Sequence, residues 1–441
     1  MPALLIVFAT MSGADPVLTA ASAMPVAVAP ARIDGRNVAS HLGSLLNIYY
    51  VVEEARPKFA AVIAASSLAG KYDVTDPELL AQRLQEDLRK VTADKHLSVL
   101  YDPARSAQLA APRPEASAGE PDFNAGEIAA ADRLNHGLAQ LRVLPGNIRY
   151  LETTGFAWVG KASERAYDNA MQFLAGGDAI IIDMRGNGGG SVAAVRTLVS
   201  PFLPTNKPLM TFHLTTEGPT TSVTPSTRHG PSLVGKPLYV LTGPGSASAA
   251  EEFIGHIQGY KLGELIGETT AGAGFRNDYF TLPDGFYVSI SIGQAILAST
   301  NKGWEAVGLI PDTPVPVDQA LEVAQAHALK RLAANAKPAE RRIYEVQAAL
   351  LLARVNPVKT ALPMTGYAGT YGERIVTVAG DGIVIQREGG PKSKLVAIGP
   401  NVFTYENDPG STLTFDVDGS RATAIHLVRG DGSTAGGKRA D

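Results

Sequence analysis

Ile181-Ile-Asp-Met-Arg-Gly-Asn-Gly-Gly-Gly-Ser191 is an apolar run that breaks into a glycine-rich loop. Ala179–Met184 reads as a short buried strand, and Val192–Leu203 beyond the loop reads as a helix. Strand, loop and helix in that order form the unit of a mostly parallel sheet covered on both faces. Leu238–Leu241 repeats the strand pattern, and Ser163–Leu174 supplies another helix. This α/β patterning runs from Ile148 to about Val317, so the fold class of the middle of the chain is α/β.

Glycines let backbone amides approach a ligand and can form an anion-binding nest. The loop has no Lys for a GxxxxGK[ST] phosphate loop, and Ser191 stands where a GxGxxG fingerprint needs its third glycine. An oxyanion hole remains, and so does a plain tight turn between strand and helix.

A second stretch has the same form: Val240-Leu-Thr-Gly-Pro-Gly-Ser-Ala-Ser-Ala-Ala-Glu-Glu-Phe253. A buried strand ends, a short loop follows, and Ser248 falls in the first turn of a helix. Small neighbours leave its hydroxyl accessible, and free helix-start amides suit an oxyanion beside a nucleophile. Ser246 or Ser248 as a simple helix cap is the competing reading. GxSxG is absent, so this is not an α/β-hydrolase elbow. Glu251, one turn on, either orients the loop or lies on a solvated face. His256 is eight residues from Ser248, about 12 Å along a helix, too far for direct proton transfer.

On the amino-terminal side, Leu42, Leu45, Leu46, Tyr49 and Val52 recur at helical spacing, Phe59–Leu68 continues as a short helix, and Leu80, Leu84, Leu88 and Val91 line a third. Together they predict a three-helix bundle. His96–Tyr101 alternates like a strand. Residues 103–123, rich in Ala, Pro and Ser, read as a linker, and Glu127–Leu141 as a helix. Beyond the core, Gln319–Ala333 and Ala339–Leu352 read as helices. Six short alternating strands between Ile375 and Val428 predict an antiparallel sandwich or barrel.

The whole chain has 441 residues, of which 45% are apolar and 19% charged, with a net charge of −4. That supplies ample core and no basic excess for nucleic acid. With no cysteine there is no thiolate nucleophile, disulfide or Cys-ligated metal. No HExxH or similar spacing occurs, so no metal and no cofactor is expected. Ala3–Met11 and Ala21-Ser-Ala23 look like the apolar core and cleavage site of a secretory signal, although a positive leader is missing. A periplasmic or secreted protein is the expectation, with no later run of transmembrane length.

The two glycine- and serine-containing motifs, in this order, resemble the tail-specific, carboxyl-terminal processing serine peptidases, and more closely their branch of the tricorn core and interphotoreceptor retinoid-binding protein. Gly267-Glu-Thr-Thr270, Leu282-Pro-Asp-Gly285, Trp304-Glu-x-Val-Gly-x-x-Pro-Asp312 and Asp94-Lys-His-Leu97 match in family order. The likeness spans about residues 40 to 330. It implies a ClpP/crotonase-like spiral core, with Ser248 as nucleophile and Gly189 and Ala249 as oxyanion donors. One branch of the family uses a lysine 25 residues after the serine, but that position is Ala273. The tricorn pattern instead makes His96 the base and Glu305 the orienting acid. Many members carry a PDZ domain, yet Asp102–Pro145 is too short to hold one.

The resemblance therefore divides the chain into a signal or disordered tail (1–30), a helical bundle (31–95), a peptidase core without a PDZ domain (96–335), a helical connector (336–362) and a β module (363–441). It implies a serine peptidase acting on peptides or protein carboxyl termini. A non-catalytic carrier of an apolar ligand or peptide in the same cleft is the alternative. An acyl-CoA enzyme of the crotonase type shares the fold but has no need of the Ser-Ala-Ser-Ala run.

Overall fold

The computed structural model describes residues 33–111, 123–228 and 230–440. The signal-like segment and most of the expected linker lie outside the described residues.

Two sheets form the middle of the molecule. The first has six strands in the spatial order Thr313–Pro314, Glu264–Gly267, Leu238–Thr242, Ala179–Asp183, Ile148–Thr153 and Leu138–Leu144. All neighbours are parallel except the last pair, and the order across the sheet follows the order along the chain. Each crossover thus advances one place in a constant direction.

Ala179–Asp183 lies at the centre and is buried throughout. Its side chains alternate between two cores, as a pleated strand requires. Ile180 and Ile182 pack with Tyr167, Leu198, Phe253 and Ile254, whereas Ala179 and Ile181 pack with Val323, Ala324 and Leu329. Full burial of such a side chain contributes about 1.5–3 kcal/mol. The continuous apolar run is therefore what a strand with helices on both faces needs.

The second sheet is antiparallel and is organised by one long strand, Phe286–Leu297. Ser98–Tyr101 pairs with its first half, with Ser98 opposite Ser289, and Pro208–Leu214 pairs with its second half. That pairing sets the position of His96, two residues upstream. The amino-terminal helices Gly35–Tyr49, Arg56–Leu68 and Pro77–Arg89 share their core with this sheet: Leu42, Phe59 and Leu84 pack with Val99, Phe286 and Val288.

Two local expectations fail. Leu138–Leu144 is a strand, not the end of a helix begun at Glu127; the helix is Ala125–Arg133. The strand turns back through Pro145-Gly-Asn147, where Gly146 and Asn147 take φ of 80° and 53°, and pairs with Ile148–Thr153. Its helix-like spacing of leucines arose on an edge strand that is mostly exposed. Pro103–Ala110 is a helix at the start of the expected linker, capped by the Asp102 side chain on the Arg105 amide with Pro103 in its first turn.

Gly369–Lys438 forms eight antiparallel strands in sequential order. A bridge between Tyr371 and Arg439 joins the first to the last, so the sheet closes into a barrel. Its core includes an edge-to-face cluster of Tyr367, Tyr371, Phe403 and Phe415 among aliphatic side chains such as Val376, Ile385 and Ile425.

Candidate active site

The strand Leu238–Thr242 ends in a loop that cannot wander. Ser246 Oγ donates to the Met184 carbonyl (2.8 Å) and accepts from the Gly243 amide (3.1 Å), tying the loop to the end of the neighbouring strand. The Ala247 amide donates to the Asn187 carbonyl (3.0 Å). Ser246 is thus the structural serine of the pair. Ser248, half-buried at the entrance of helix Ala249–Gly259, has φ 55° and ψ −121°. A non-glycine residue held there stores about 1–3 kcal/mol of strain. The Ala249 amide, the first of the helix, has no acceptor among the described residues.

Glu251 holds this arrangement. It is fully buried. Its carboxylate accepts from the Ser248 amide (3.0 Å), Thr270 Oγ1 (2.5 Å), the Gly272 amide (2.7 Å) and the Ala273 amide (2.8 Å). The solvated-face reading of Glu251 is excluded. Its signal was present in the sequence as an acid three residues after a helix-entry serine, the spacing of a capping box. His256 is fully buried, with Nε2 3.5 Å from Glu252 Oε1, too long a contact to count as a hydrogen bond.

The loop Thr270–Phe275 gathers the other groups. The Ala271 amide donates to the Ser246 carbonyl (2.9 Å), and the Lys95 ammonium donates to the Ala271 carbonyl. The Ala306 amide reaches the Gly272 carbonyl (2.9 Å), and Trp304 Nε1 reaches the Ala273 carbonyl (3.3 Å). One loop therefore touches the segments that carry Ser248, His96 and Glu305. Ala273 is buried there, so no lysine occupies the position 25 residues after Ser248.

His96 and Glu305 are both half-buried. Asp94 Oδ1 accepts from the His96 amide (2.8 Å) and fixes the backbone beneath the ring. His96 Nδ1 is buried without a partner among the described residues, and the ring is bonded to neither Ser248 nor Glu305. Burial lowers the His96 pKa, Arg276 adds to that, and Asp94 opposes it. The imidazole is thus neutral at pH 7, the form that can take a proton. Glu305 Oε2 accepts from the Gly274 (2.6 Å) and Phe275 (3.0 Å) amides. Burial nevertheless pushes its pKa up to about 7, helped by the charges of Asp94 and Glu251.

The glycine loop closes the site from the other side. A Cβ on Gly189, whose φ is 104°, would lie 2.9 Å from Ser248 Cβ and 2.8 Å from the Ala247 carbonyl oxygen. Only glycine fits. Its amide donates to Asn187 Oδ1 (2.9 Å), and Asn187 Nδ2 donates to Thr153 Oγ1 (2.8 Å). Of the two expected oxyanion donors, Ala249 is free, whereas Gly189 must share its hydrogen with Asn187 or release it.

Comparison with known proteins gives two matches along the chain. Residues 147–315 match peptidase family S41, and residues 21–132 match the N-terminal domain of peptidase S41 in eukaryotic IRBP. The core is thus similar to peptidase family S41 over residues 147–315. Gly189, Ser248 and Glu305 fall within that match, and His96 within the N-terminal one. A carboxyl-terminal-processing protease of Synechocystis is 27% identical over 169 residues, which are 37% of this chain and 38% of that protein. The chloroplastic carboxyl-terminal-processing peptidase 2 of Arabidopsis thaliana is 26% identical over 40% of this chain and 35% of its own length. The chain thus matches less than half the length of these relatives. The solved photosystem II D1 C-terminal processing protease superposes with a TM-score of 0.42 at 16% identity, covering 65% of this chain and 94% of that one.

Proposed function

We propose that this chain is a serine peptidase of the S41 kind that hydrolyses peptide bonds in peptides or protein carboxyl termini. The observation that carries the reading is Ser248: a strained residue at a helix start, its amide pinned by a buried acid, beside a free Ala249 amide. Strain of this kind gathers where a hydroxyl must be presented to a substrate.

In this reading Ser248 Oγ attacks the scissile carbonyl. His96 takes the hydroxyl proton as the oxygen–carbon bond forms and returns it to the leaving amine. Glu305 orients the imidazole and supports its cation; water then repeats the sequence to release the acyl group. Ala249, with Gly189, receives the oxyanion. Hydrogen bonds of this type are often open in an unliganded site and tighten on substrate, in keeping with the unpaired His96 ring. The core is read as a ClpP/crotonase-like spiral, which the sequential strand order favours. The five-part division of the chain and export to a periplasmic or extracellular space belong to the same proposal. Among the described residues no helix is long and apolar enough to cross a membrane.

The carrier reading has one observation in its favour, the absence of a bond between His96 and Ser248. Fluorophosphonate labelling separates the two. Wild-type labelling abolished by both Ser248→Ala and His96→Ala supports the peptidase. A well-folded wild type that takes no label favours the carrier.

A further inference from the structure

Asp132, His136 and Ser163 form a second row of acid, imidazole and hydroxyl away from Ser248. His136 is buried in the turn Asn135–Gly137, at φ 56°. Its Nδ1 lies 2.9 Å from Ser163 Oγ, and its Nε2 lies 3.3 Å from Asp132 Oδ1. The row is not a second nucleophile. Ser163 has no exposed surface, and its oxygen already accepts the Val159 amide at 2.7 Å.

Ser163 Oγ also lies 3.4 Å from the Ala157 carbonyl oxygen, and with two lone pairs it can accept from a protonated His136 Nδ1 or donate to a bare one; in either tautomer ring and hydroxyl share one hydrogen bond. The hydroxyl in turn bonds the stretch that runs from Gly155 to Val159. Gly137 presses on the same stretch from the other side. A Cβ there would lie 1.9 Å from the Gly155 carbonyl oxygen, and the Thr154 amide donates to the Gly137 carbonyl (2.9 Å).

Phe156 passes this constraint on. Its amide donates to the Gly189 carbonyl (2.8 Å), and its carbonyl accepts from the Ser191 amide (2.9 Å). A Cβ on Gly190 would lie 2.5 Å from the Phe156 carbonyl oxygen, and one on Gly189 would lie 2.9 Å from Ser248 Cβ. From Ser163 through Val159 and Phe156 to the Gly189–Ser191 backbone the links are continuous, and Gly189 and Gly190 leave no room for a side chain against Ser248 and Phe156.

We propose that His136 and Ser163 are positioning residues. Acting through Phe156, they set where the Gly189–Gly190 loop stands against Ser248, while Asp132 holds the His136 ring. The inference rests on the peptidase reading, since it concerns the oxyanion side of that site.

The test is fluorophosphonate labelling kinetics on the full chain, resolved into a maximal rate and a half-saturating concentration, because the probe's phosphoryl oxygen must enter the oxyanion position. Ser163→Ala removes the hydroxyl. His136→Gly removes the ring while relieving the positive φ. His136→Asn keeps a side chain that tolerates φ near 56° and can accept from or donate to the Ser163 hydroxyl. The expected result is a maximal rate lower by about 10-fold or more in Ser163→Ala and His136→Gly, with half-saturation unchanged and most of the rate recovered in His136→Asn. Folded variants with the wild-type rate, a change confined to half-saturation, or a loss confined to variants whose circular dichroism shows unfolding would each overturn the positioning role. A wild type that takes no label overturns the peptidase reading and this inference with it; a reactive wild type with unaffected variants overturns the inference alone.

Discussion

The Ser248 amide donates to the Glu251 carboxylate across 3.0 Å, so the strained residue is held by an acid on the first turn of its own helix. The same carboxylate takes three more donors from Thr270, Gly272 and Ala273. Glu251 thereby joins the turn that presents Ser248 to the loop that touches the segments of His96 and Glu305.

Glu251→Ala leaves these four donors buried without an acceptor. Hydrogen bonds to a charged group contribute about 1.5–3 kcal/mol each and are not additive within a cluster. The expected loss is about 3 kcal/mol or more in urea unfolding, together with loss of fluorophosphonate labelling. Glu251→Gln keeps the volume but turns an N–H towards a ring of donors, and labelling should fall with it as well.

The pH profile of labelling should have its acid limb near 7. Neutral His96 persists below its ordinary range, because burial lowers its pKa, whereas Glu305 protonates as pH falls through about 7. If the ionised Glu305 supports the imidazolium, Glu305 sets the limb. Glu305→Gln should then lower the rate and move the limb to more acid pH. A limb that stays near 7 in Glu305→Gln would assign it elsewhere.

Glu305 also gives stability a pH dependence of known sign. Its folded pKa lies above the ordinary carboxyl value, so the folded state binds a proton that the unfolded state releases. That stability is fully present below the unfolded pKa of about 4.5 and is lost as pH rises to about 7. Thermal unfolding followed across this window should show the loss in the wild type and its removal in Glu305→Gln.

Gly189→Ala puts a methyl group where 2.9 Å separates its Cβ from Ser248 Cβ, at a φ of 104°. Either the glycine loop or the Ser248 turn must move. The expected outcome is a folded protein destabilised by about 1–3 kcal/mol in chemical denaturation, with labelling at Ser248 strongly reduced.

Arg185 binds the buried Asp183 through Nη2 (2.6 Å) and Nε, and donates to the Val317 carbonyl (2.6 Å). Arg185→Ala leaves Asp183 with only the Tyr150 hydroxyl (2.8 Å) among its side-chain partners. Loss of one member of a buried pair costs about 3–5 kcal/mol. Urea unfolding should show a drop of that order, and Asp183→Asn combined with Arg185→Ala should recover part of it.

Much of this chain was legible because its signals are local. A five-residue apolar strand running into Gly186–Gly190 is interpretable without knowing its neighbours, and so is a serine at a helix entrance. Other features misled for equally local reasons. Leu138, Leu141 and Leu144 sit at helical spacing, yet the turn at Pro145-Gly-Asn147 and the free edge of Ile148–Thr153 draw them into a strand. The Asp102-Pro103 pair is a helix start inside a segment whose composition suggested a linker. Glu251 offered the spacing of a capping box, but spacing alone does not tell a solvated acid from a buried one.

The sequence by itself determined the α/β class, the glycine loop, the serine-bearing turn at a helix start and the residue types available for chemistry, since these depend on neighbours a few positions apart. Only the tertiary structure decided that Glu251 is buried among four donors, that the Gly189 amide is taken by Asn187, and that one loop touches the segments of Ser248, His96 and Glu305. Burial and hydrogen-bond partnership are properties of what packs around a group. In this chain the groups that do so come from segments up to about 200 residues apart, from Asp94 to Glu305.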